Sequence, residues 1–263
     1  MDILIRNKLN RKETAEVKAF LSACTEKKGL MLSFPFGDAD ASFFLCHEQS
    51  TLVSVLVLCR IDDLSFECIA WTRPENRRAG YFKALWNEAV KTLRGTAPAA
   101  ERKNIRVTFI TDNLCPAARK VLRTLKAKKQ AEELTMSADL SGFKSRTAAD
   151  SLFLFRKKSK GSGNTAEYEV ISADHADVPV LSFSILPARE SSTCYLYSFS
   201  VRKDLRGRGY GSRIFPLILQ FLKSRGYSGL MLQVSSSNKA AVKIYRNSGL
   251  TAGVRLTYYE ITI

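Results

Sequence analysis

The same order of predicted elements occurs twice along this chain of 263 residues. In each half, three strand-like segments lead into an arginine-containing glycine turn, which is followed by an amphipathic helix, another strand and a second helix. The two turns are also equally spaced, because Arg77 follows Thr72 at the same distance as Arg206 follows Val201. An internal duplication is therefore predicted, with two lobes built to one plan.

Apolar runs of strand length indicate where the sheets of these lobes lie. Strands are predicted at 42–46, 51–61, 64–72 and 105–111 in the first half, and at 166–172, 178–186, 194–201 and 229–234 in the second. The three strands before each turn are typical of an antiparallel meander. The predicted fold class is α/β, with two lobes that each hold a mixed, largely antiparallel sheet flanked by helices.

A polar, glycine-bearing stretch separates the two halves. Residues 158–165 have the composition of a linker, which predicts one lobe at 1–157 and the other at 166–263. The first half opens with an additional strand and a helix that begins near Asn10, where Glu13 completes a capping-box pattern. The second half enters its meander directly from the linker, so we expect its opening elements to be missing.

The balance of 41 Lys and Arg against 25 Asp and Glu gives a net charge of +16, which favours polyanions: nucleic acid, an anionic membrane face or a phosphorylated cofactor. The alternative is a charge that serves only solubility. Much of the excess lies in a predicted helix at 118–129, in 156–163 and in the second glycine turn. None of these stretches interleaves aromatic with basic residues, so nucleic acid is a possible partner but not the favoured one. No apolar run reaches the roughly 18 residues of a membrane span, so no membrane partner is predicted.

Cysteine and histidine usage bears on metals and on the cellular compartment. The six cysteines are scattered and only two histidines are present, so no metal site is predicted and the thiols are expected to be reduced. The N-terminal residues lack the pattern of a signal peptide. We therefore expect a cytoplasmic protein without a metal cofactor.

The second glycine turn has the features of a phosphate-binding site. Apolar residues at helical spacing begin after Gly209, so the turn leads into a helix N-terminus, where unpaired N–H groups and the helix dipole attract anions. Glycines let the backbone approach a phosphate, and Arg206 and Arg208 add charge-assisted hydrogen bonds. The turn lacks the GK[ST] sequence of a P-loop and the spacing of a dinucleotide fingerprint. It predicts a pyrophosphate site, with an ordinary tight turn as the alternative.

Two motifs in a suitable strand and helix context resemble the GNAT superfamily of acyl-CoA-dependent N-acetyltransferases. The sequence R-G-R-G-Y-G at 206–211 is similar to the family's Q/R-x-x-G-x-G/A turn. The downstream pattern Asn-x-x-Ala-x-x-x-Tyr-x-x-x-Gly-Phe is matched by Asn238, Ala241, Tyr245 and Gly249, with Leu250 at the Phe position. The resemblance covers residues 166–263 well and 1–157 weakly.

The resemblance implies that the C-terminal lobe binds acetyl-CoA, or another acyl-CoA, as co-substrate. The backbone of Phe199, Ser200 and Val201 would pair with the pantetheine arm and polarise the thioester. Asn238, with Ala241 in the same motif, would contact the pantetheine or adenylate part. The pyrophosphate would be held by the whole turn, namely Arg206, Gly207, Arg208, Gly209, Tyr210, Gly211 and Ser212.

The resemblance also implies a catalytic role for Tyr245, which would protonate the departing thiolate while an acceptor amine attacks the thioester directly. The alternative for Tyr245 is a helix aromatic that only packs. The glutamate that many GNAT enzymes place before the turn has no counterpart in 194–201. The base for the amine is left open between Glu169, Glu190, a water chain, a group from the first lobe and an amine that is already neutral.

The first half carries a weaker copy of these motifs. It keeps Arg77 and Gly80, but Phe82 occupies the position of a small residue and Leu122 aligns with Tyr245. We therefore expect the first lobe to shape the acceptor pocket rather than to catalyse. The predicted function is acetyl-CoA-dependent N-acetyl transfer to an amine, and the alternative is a non-catalytic CoA-binding module that regulates or binds nucleic acid.

Overall fold

The computed structural model describes residues 1–24, 34–112, 115–143, 152–160, 164–175, 178–188 and 191–263. The chain forms two compact units. The first unit comprises Met1–Ala131 together with Leu256–Ile263, and the second unit comprises Glu132–Arg255. Each unit contains a mixed, mostly antiparallel sheet with helices packed against it, which confirms the predicted fold class.

The sheet of the first unit is built from the meander that the sequence predicts. Its strands are β1 (Asp2–Arg6), β2 (Ala41–Glu48), β3 (Thr51–Arg60), β4 (Ser65–Thr72) and β5 (Arg106–Asp112), and its helices are α1 (Arg11–Cys24), α2 (Tyr81–Thr96) and α3 (Pro116–Thr124). Neighbouring strands from β1 to β4 are antiparallel, whereas β4 and β5 are parallel. Residues 256–262 of the last strand pair antiparallel with β5 and complete this sheet.

The second unit repeats this plan. Its elements are β6 (Lys128–Asp139), β7 (Phe153–Lys160), β8 (Ala166–Ser172), β9 (Pro179–Pro187), β10 (Thr193–Val201), α4 (Tyr210–Ser224), β11 (Gly229–Ser235), α5 (Lys239–Asn247) and the start of β12 (Thr251–Thr262). The strands from β7 to β10 form an antiparallel meander, and β11 lies between β10, with which it is parallel, and β6, with which it is antiparallel.

Three strands were not predicted: β6, β7 and β12. Part of the predicted linker is strand, because residues 158–160 belong to β7, and 161–163 lie outside the described residues. Two cations of this basic stretch form ion pairs with Glu169 on the neighbouring strand β8. Arg156 Nη2 lies 2.9 Å from Glu169 Oε2, and Lys158 Nζ lies 3.8 Å from Glu169 Oε1. The second meander thus has an opening strand, β7, contrary to expectation. The first unit of the structure reaches residue 131, whereas the sequence predicts a first lobe that ends at 157.

The two sheets differ in how their faces are covered. In the first unit, Phe44 and Leu56 face α2, whereas Phe43 and Val55 face α1. In the second unit, both α4 and α5 pack on the face that carries Leu196 and Leu232. Tyr195 and Tyr197 on the opposite face are 44% and 41% exposed. Of the helices in the described ranges, none is long and apolar enough to span a membrane.

Candidate active site

The second glycine turn joins β10 to α4 through a single turn of 3-10 helix at 203–205. Gly207 and Gly209 have φ angles of 77° and 83°, in the left-handed region that residues with a Cβ avoid. Gly209 caps α4, and the first helical hydrogen bond runs from the Arg213 N–H to the Gly209 carbonyl, at 3.1 Å. The N–H groups of the three intervening residues therefore have no acceptor within the helix and are available to an anion.

The arginines of this turn have different partners. Arg206 Nε donates to the carbonyl of Val201 at 3.0 Å, so this side chain braces the end of β10. Arg202 donates twice to Asp204, at 2.8 and 3.0 Å, and these hydrogen bonds lower the pKa of Asp204. Arg208 is exposed. The predicted phosphate contacts of Arg206 and Arg208 stay predictions, and the structure adds a local role for Arg206.

Gly211 is buried in the first turn of α4. A Cβ at this position would lie 2.9 Å from Ile244 Cδ1 and 3.6 Å from Val201 Cγ2. The glycine therefore lets α4 pack closely against α5 and β10 without displacing the end of the Ile244 side chain, which is a different reason from the predicted backbone approach to phosphate. Ser212, the next residue, is exposed at the helix N-terminus.

Tyr210, the first residue of α4, is tied to the preceding part of the chain. Its hydroxyl lies 2.8 Å from Nε2 of His175. Its ring also makes an edge contact with Phe153, with the centroids 6.4 Å apart. The predicted cofactor residue Tyr210 thus has its hydroxyl engaged within the protein, and His175 is a neighbour that the motif did not reveal.

A bulge in β10 opens a cleft beside β11. The pairing of β10 with β9 passes from Tyr197 and Ser184 directly to Ser200 and Ser182, and the intervening Ser198 has a φ of 53°. The parallel pairing with β11 covers only residues 193–195 and 229–231. Beyond that point the edge of β10 that faces β11 has backbone N–H and C=O groups free of the sheet ladder.

A cavity of about 220 Å³ occupies this cleft. It is lined by Leu196, Tyr197, Ser198, Phe199, Gln233, Val234, Ser235, Asn238 and Tyr245. Three predicted site residues, Phe199, Asn238 and Tyr245, therefore meet at one cavity. Ser200 and Val201 continue the same strand toward the glycine turn.

Tyr245 extends from α5 to this cavity while most of its ring is buried. The side chain is 5% exposed and packs against Phe215 and Phe199, with ring centroids 4.7 and 6.0 Å away. Burial raises the pKa of Tyr245 to about 12, because the phenolate would lose its hydration. The hydroxyl therefore keeps its proton at neutral pH, as a proton donor must.

Asn238 has a structural role at the start of α5. Its Oδ1 accepts a hydrogen bond from the Ala241 N–H at 3.1 Å, which caps the helix. The cap uses the amide oxygen and leaves the NH₂ group for other contacts. The spacing between Asn238 and Ala241 in the motif therefore has a local cause, independent of any ligand.

The candidate bases are not brought to the cavity. None of its lining residues, all of them within the described ranges, is a carboxylate. Glu169 is held in ion pairs with Arg156 and Lys158, and Glu190 lies outside the described residues. Among the residues that the structure describes, no group of three or more His, Cys, Asp or Glu side chains is arranged to hold a metal ion.

Sequence reasoning missed the bulge and several lining residues. A bulge with positive φ is usually signalled by glycine, and here the residue is Ser198. Gln233 and Ser235 lie on β11, whose apolar pattern predicts a strand but not which of its edges is open. His175 follows a strand in a short helical turn and carries no motif.

Comparison with known proteins finds sequence similarity in the second half of the chain. Residues 162–250 match the family model described as "Acetyltransferase (GNAT) family". The ribosomal protein bS18-alanine N-acetyltransferase of Escherichia coli is 32% identical over 68 residues, which are 26% of this chain and 46% of that protein. Its counterpart from Salmonella typhimurium is 34% identical over 65 residues, or 24% and 44%. The chain thus spans about half the length of the curated relatives it matches.

Solved structures match over nearly the whole chain. A GCN5-related N-acetyltransferase from Sphaerobacter thermophilus has a TM-score of 0.74 at 13% identity, covering 98% of this chain and 95% of its own. A tandem GNAT protein from the clavulanic acid biosynthesis pathway has a TM-score of 0.71 at 12% identity, covering 99% and 98%. At such identities the likeness concerns the fold. The chain has the GNAT fold, and its residues 162–250 are similar to the GNAT acetyltransferase family.

Proposed function

We propose that the second unit catalyses transfer of an acetyl group from acetyl-CoA to an amine. The observation that carries this proposal is the single cavity shared by the bulged edge of β10, the capped start of α5 and the buried, protonated Tyr245. The family match over 162–250 supports the same activity. Each of these parts has a distinct task in acyl transfer.

Acetyl-CoA is proposed to bind along the open edge of β10 and across the glycine turn. Backbone groups of Phe199 to Val201 on the edge away from β9 would pair with the amides of the pantetheine arm, with the Val201 carbonyl shared with Arg206 Nε. The unpaired N–H groups at the start of α4, with Arg206 and Arg208 beside them, would bind the pyrophosphate. Asn238 would reach the pantetheine with the NH₂ group that its capping bond leaves free.

The proposed chemistry is direct attack of the amine on the thioester carbonyl. A C–N bond forms and a tetrahedral oxyanion develops, which the backbone N–H groups of the bulge would stabilise. The C–S bond then breaks, and the departing thiolate takes the proton of Tyr245. The proton lost by the amine returns to Tyr245 through solvent, so that an amide and free CoA are the products.

A covalent acyl-cysteine intermediate is not favoured. Cys194 is the single cysteine in the second unit. Burial raises its pKa to about 12, so the thiol stays protonated and a poor nucleophile at neutral pH. Its side chain is fully buried in the core beneath β10 and does not line the cavity.

The acceptor is proposed to enter as a neutral amine or to lose its proton to water. This follows from the lining of the cavity, which contains no carboxylate among the described residues. The relatives that match the second unit are named as alanine N-acetyltransferases of a ribosomal protein. Peptides with an N-terminal alanine are therefore the first acceptors to test.

A CoA-binding module without turnover is the second candidate, and the missing carboxylate is the observation that favours it. One experiment separates the two. Purified protein is incubated with acetyl-CoA and a panel of amines, and both free CoA and acetylated product are measured by chromatography and mass spectrometry. Turnover with any acceptor supports the enzyme, whereas tight CoA binding without turnover across the panel supports the module.

The first unit is proposed not to catalyse. Leu122 at the position that aligns with Tyr245 is 4% exposed and belongs to the core. Phe82 packs against the same core where the second unit has Gly211. A leucine has no proton to give, so protonation of a thiolate there would need another donor.

A further inference from the structure

A strongly basic segment lies in the first unit, at residues 119–129. No acidic residue occurs between Asp112 and Glu132, while six cations fall within 119–129, namely Arg119, Lys120, Arg123, Lys126, Lys128 and Lys129. All six residues are exposed. The proposed acyl transfer makes no use of them.

The fold holds these cations in a fixed arrangement. Leu122 of helix α3 is buried. Ala118, four residues before it, and Leu125, three residues after it, are partly buried, so these three residues mark the side of the helix that faces the core. Arg119, Lys120 and Arg123 lie outside that face. Lys126, with a φ of 57°, follows the C-cap residue of α3, and Lys128 begins β6.

Five of these six cations lack a carboxylate partner among the described residues. Within the described residues, no ion pair with a carboxylate is formed by Arg119, Lys120, Arg123, Lys126 or Lys128. Other cations of the first unit do form ion pairs: Arg6 on β1 lies 2.7 Å from Glu13, and Lys91 on α2 lies 3.4 Å from Glu88. A cation near the C-terminus of α3 complements the helix dipole, which accounts for Arg123 alone. Clustered like charges repel one another, and a polyanion relieves that repulsion.

We propose that α3 and the start of β6, defined by Arg119, Lys120, Arg123, Lys126 and Lys128, bind the phosphate backbone of double-helical nucleic acid. Single strands are disfavoured because residues 115–131 contain no aromatic side chain on which a base can stack. A membrane is disfavoured because none of the large exposed apolar side chains falls in this segment. Binding through phosphates alone is independent of base sequence.

The test is fluorescence anisotropy with labelled RNA and DNA duplexes of about 20 base pairs, each titrated with the full chain at roughly 50 to 200 mM KCl. Five phosphate contacts predict a slope of log K against log salt of about −4.5 on duplex DNA. The variant Arg119→Glu, Lys120→Glu, Arg123→Glu should reduce the size of this slope by about 3. A glutamine version of the same three changes tests whether charge removal alone suffices, and circular dichroism checks the fold of each variant.

The matched control is Lys8→Glu, Arg11→Glu, Lys12→Glu, which changes the net charge equally at exposed positions of the same unit. The proposal requires that this control keep the wild-type slope. Equal losses in both charge-reversal variants would show that net charge alone drives binding and would overturn the site. Stronger binding to vesicles of anionic phospholipid than to either duplex would replace nucleic acid by a membrane. Comparison of the RNA and DNA arms identifies the preferred duplex.

Discussion

The two glycine turns of the molecule have nearly the same backbone and differ in what surrounds it. Arg73 and Arg202 precede the turns with φ of −48° and −50°, and Gly80 and Gly209 cap the following helices with φ of 89° and 83°. The bracing hydrogen bond is also shared, since Arg77 Nε donates to the Thr72 carbonyl at 3.3 Å as Arg206 does to Val201.

The differences lie in the strand before the turn and in the helices beside it. The pairing of β3 with β4 runs from Ser54 to Arg60 without a shift, whereas β10 bulges at Ser198. Phe82 stands where the second unit has Gly211. The turn itself is therefore a structural feature common to both units. The proposed chemistry depends on further features of the second unit, namely the bulge at Ser198, the small residue Gly211 and the phenol of Tyr245.

The largest expected effect is on the chemical step. Tyr245→Phe keeps the ring packing and removes the proton donor, so kcat should fall by about 10²–10⁴-fold while acetyl-CoA affinity is unchanged. Steady-state kinetics and calorimetry measure the two quantities. Tyr168→Phe is the matched control, because Tyr168 is also buried in the second unit but does not line the cavity. Wild-type turnover in Tyr245→Phe would show that Tyr245 only packs in the core.

The next effect concerns the packing of the second turn. Gly211→Val places a branched side chain against Ile244, so we expect a loss of about 1–3 kcal/mol in the free energy of unfolding and weaker acetyl-CoA binding. Chemical denaturation measures the first and calorimetry the second. Adding Ile244→Ala should return part of the stability by making room. A Gly211→Val protein as stable as wild type would contradict the close packing of α4 on α5.

A smaller effect is expected from the contact between His175 and Tyr210. His175→Leu removes one hydrogen bond at the first residue of α4, worth about 0.5–1.5 kcal/mol, so the KM for acetyl-CoA should rise about 2–10-fold with kcat unchanged. His175→Gln offers a polar group at a similar reach and should restore the affinity. The same KM in the leucine and wild-type proteins, or a loss confined to kcat, would remove this positioning role.

The smallest expected effect is on the pH dependence of kcat, which should not fall at alkaline pH. The pKa of Tyr245, raised by burial to about 12, keeps the phenol protonated at every pH well below that value. The rate should therefore rise as the acceptor amine loses its proton and should then stay level, which kcat measured from about pH 6 to 10 would show. A decline in kcat within this range that Tyr245→Phe abolishes would mean that the phenol ionises earlier.

Much of the fold follows from local patterns in the sequence. The predicted strands and the helices after each turn are present because apolar periodicity and glycine placement determine them locally. The predicted helix over 118–129 was wrong in its second half, since Lys126 adopts a left-handed φ and β6 begins at Lys128. The strands β6, β7 and β12 owe their place to distant partners, which no local pattern contains.

The candidate site was predictable where its residues belong to spaced motifs. Asn238 and Tyr245 reach one cavity because Asn238 caps α5 and Tyr245 lies on it, and α5 closely follows β11. The bulge at Ser198 depends on pairing with β9, and the contact of Tyr210 with His175 joins residues 35 positions apart. Such features arise from tertiary structure. The assigned roles of the site residues stay predictions that the experiments above address.

The most direct test of the central claim, that only the second turn serves acyl transfer, compares Gly209→Val with Gly80→Val. Both glycines have a positive φ and open space around the missing Cβ, so valine strains the two turns alike. Calorimetric titration with acetyl-CoA should find one site in wild type and in Gly80→Val, and none in Gly209→Val. Binding that is lost in Gly80→Val and kept in Gly209→Val would contradict the account.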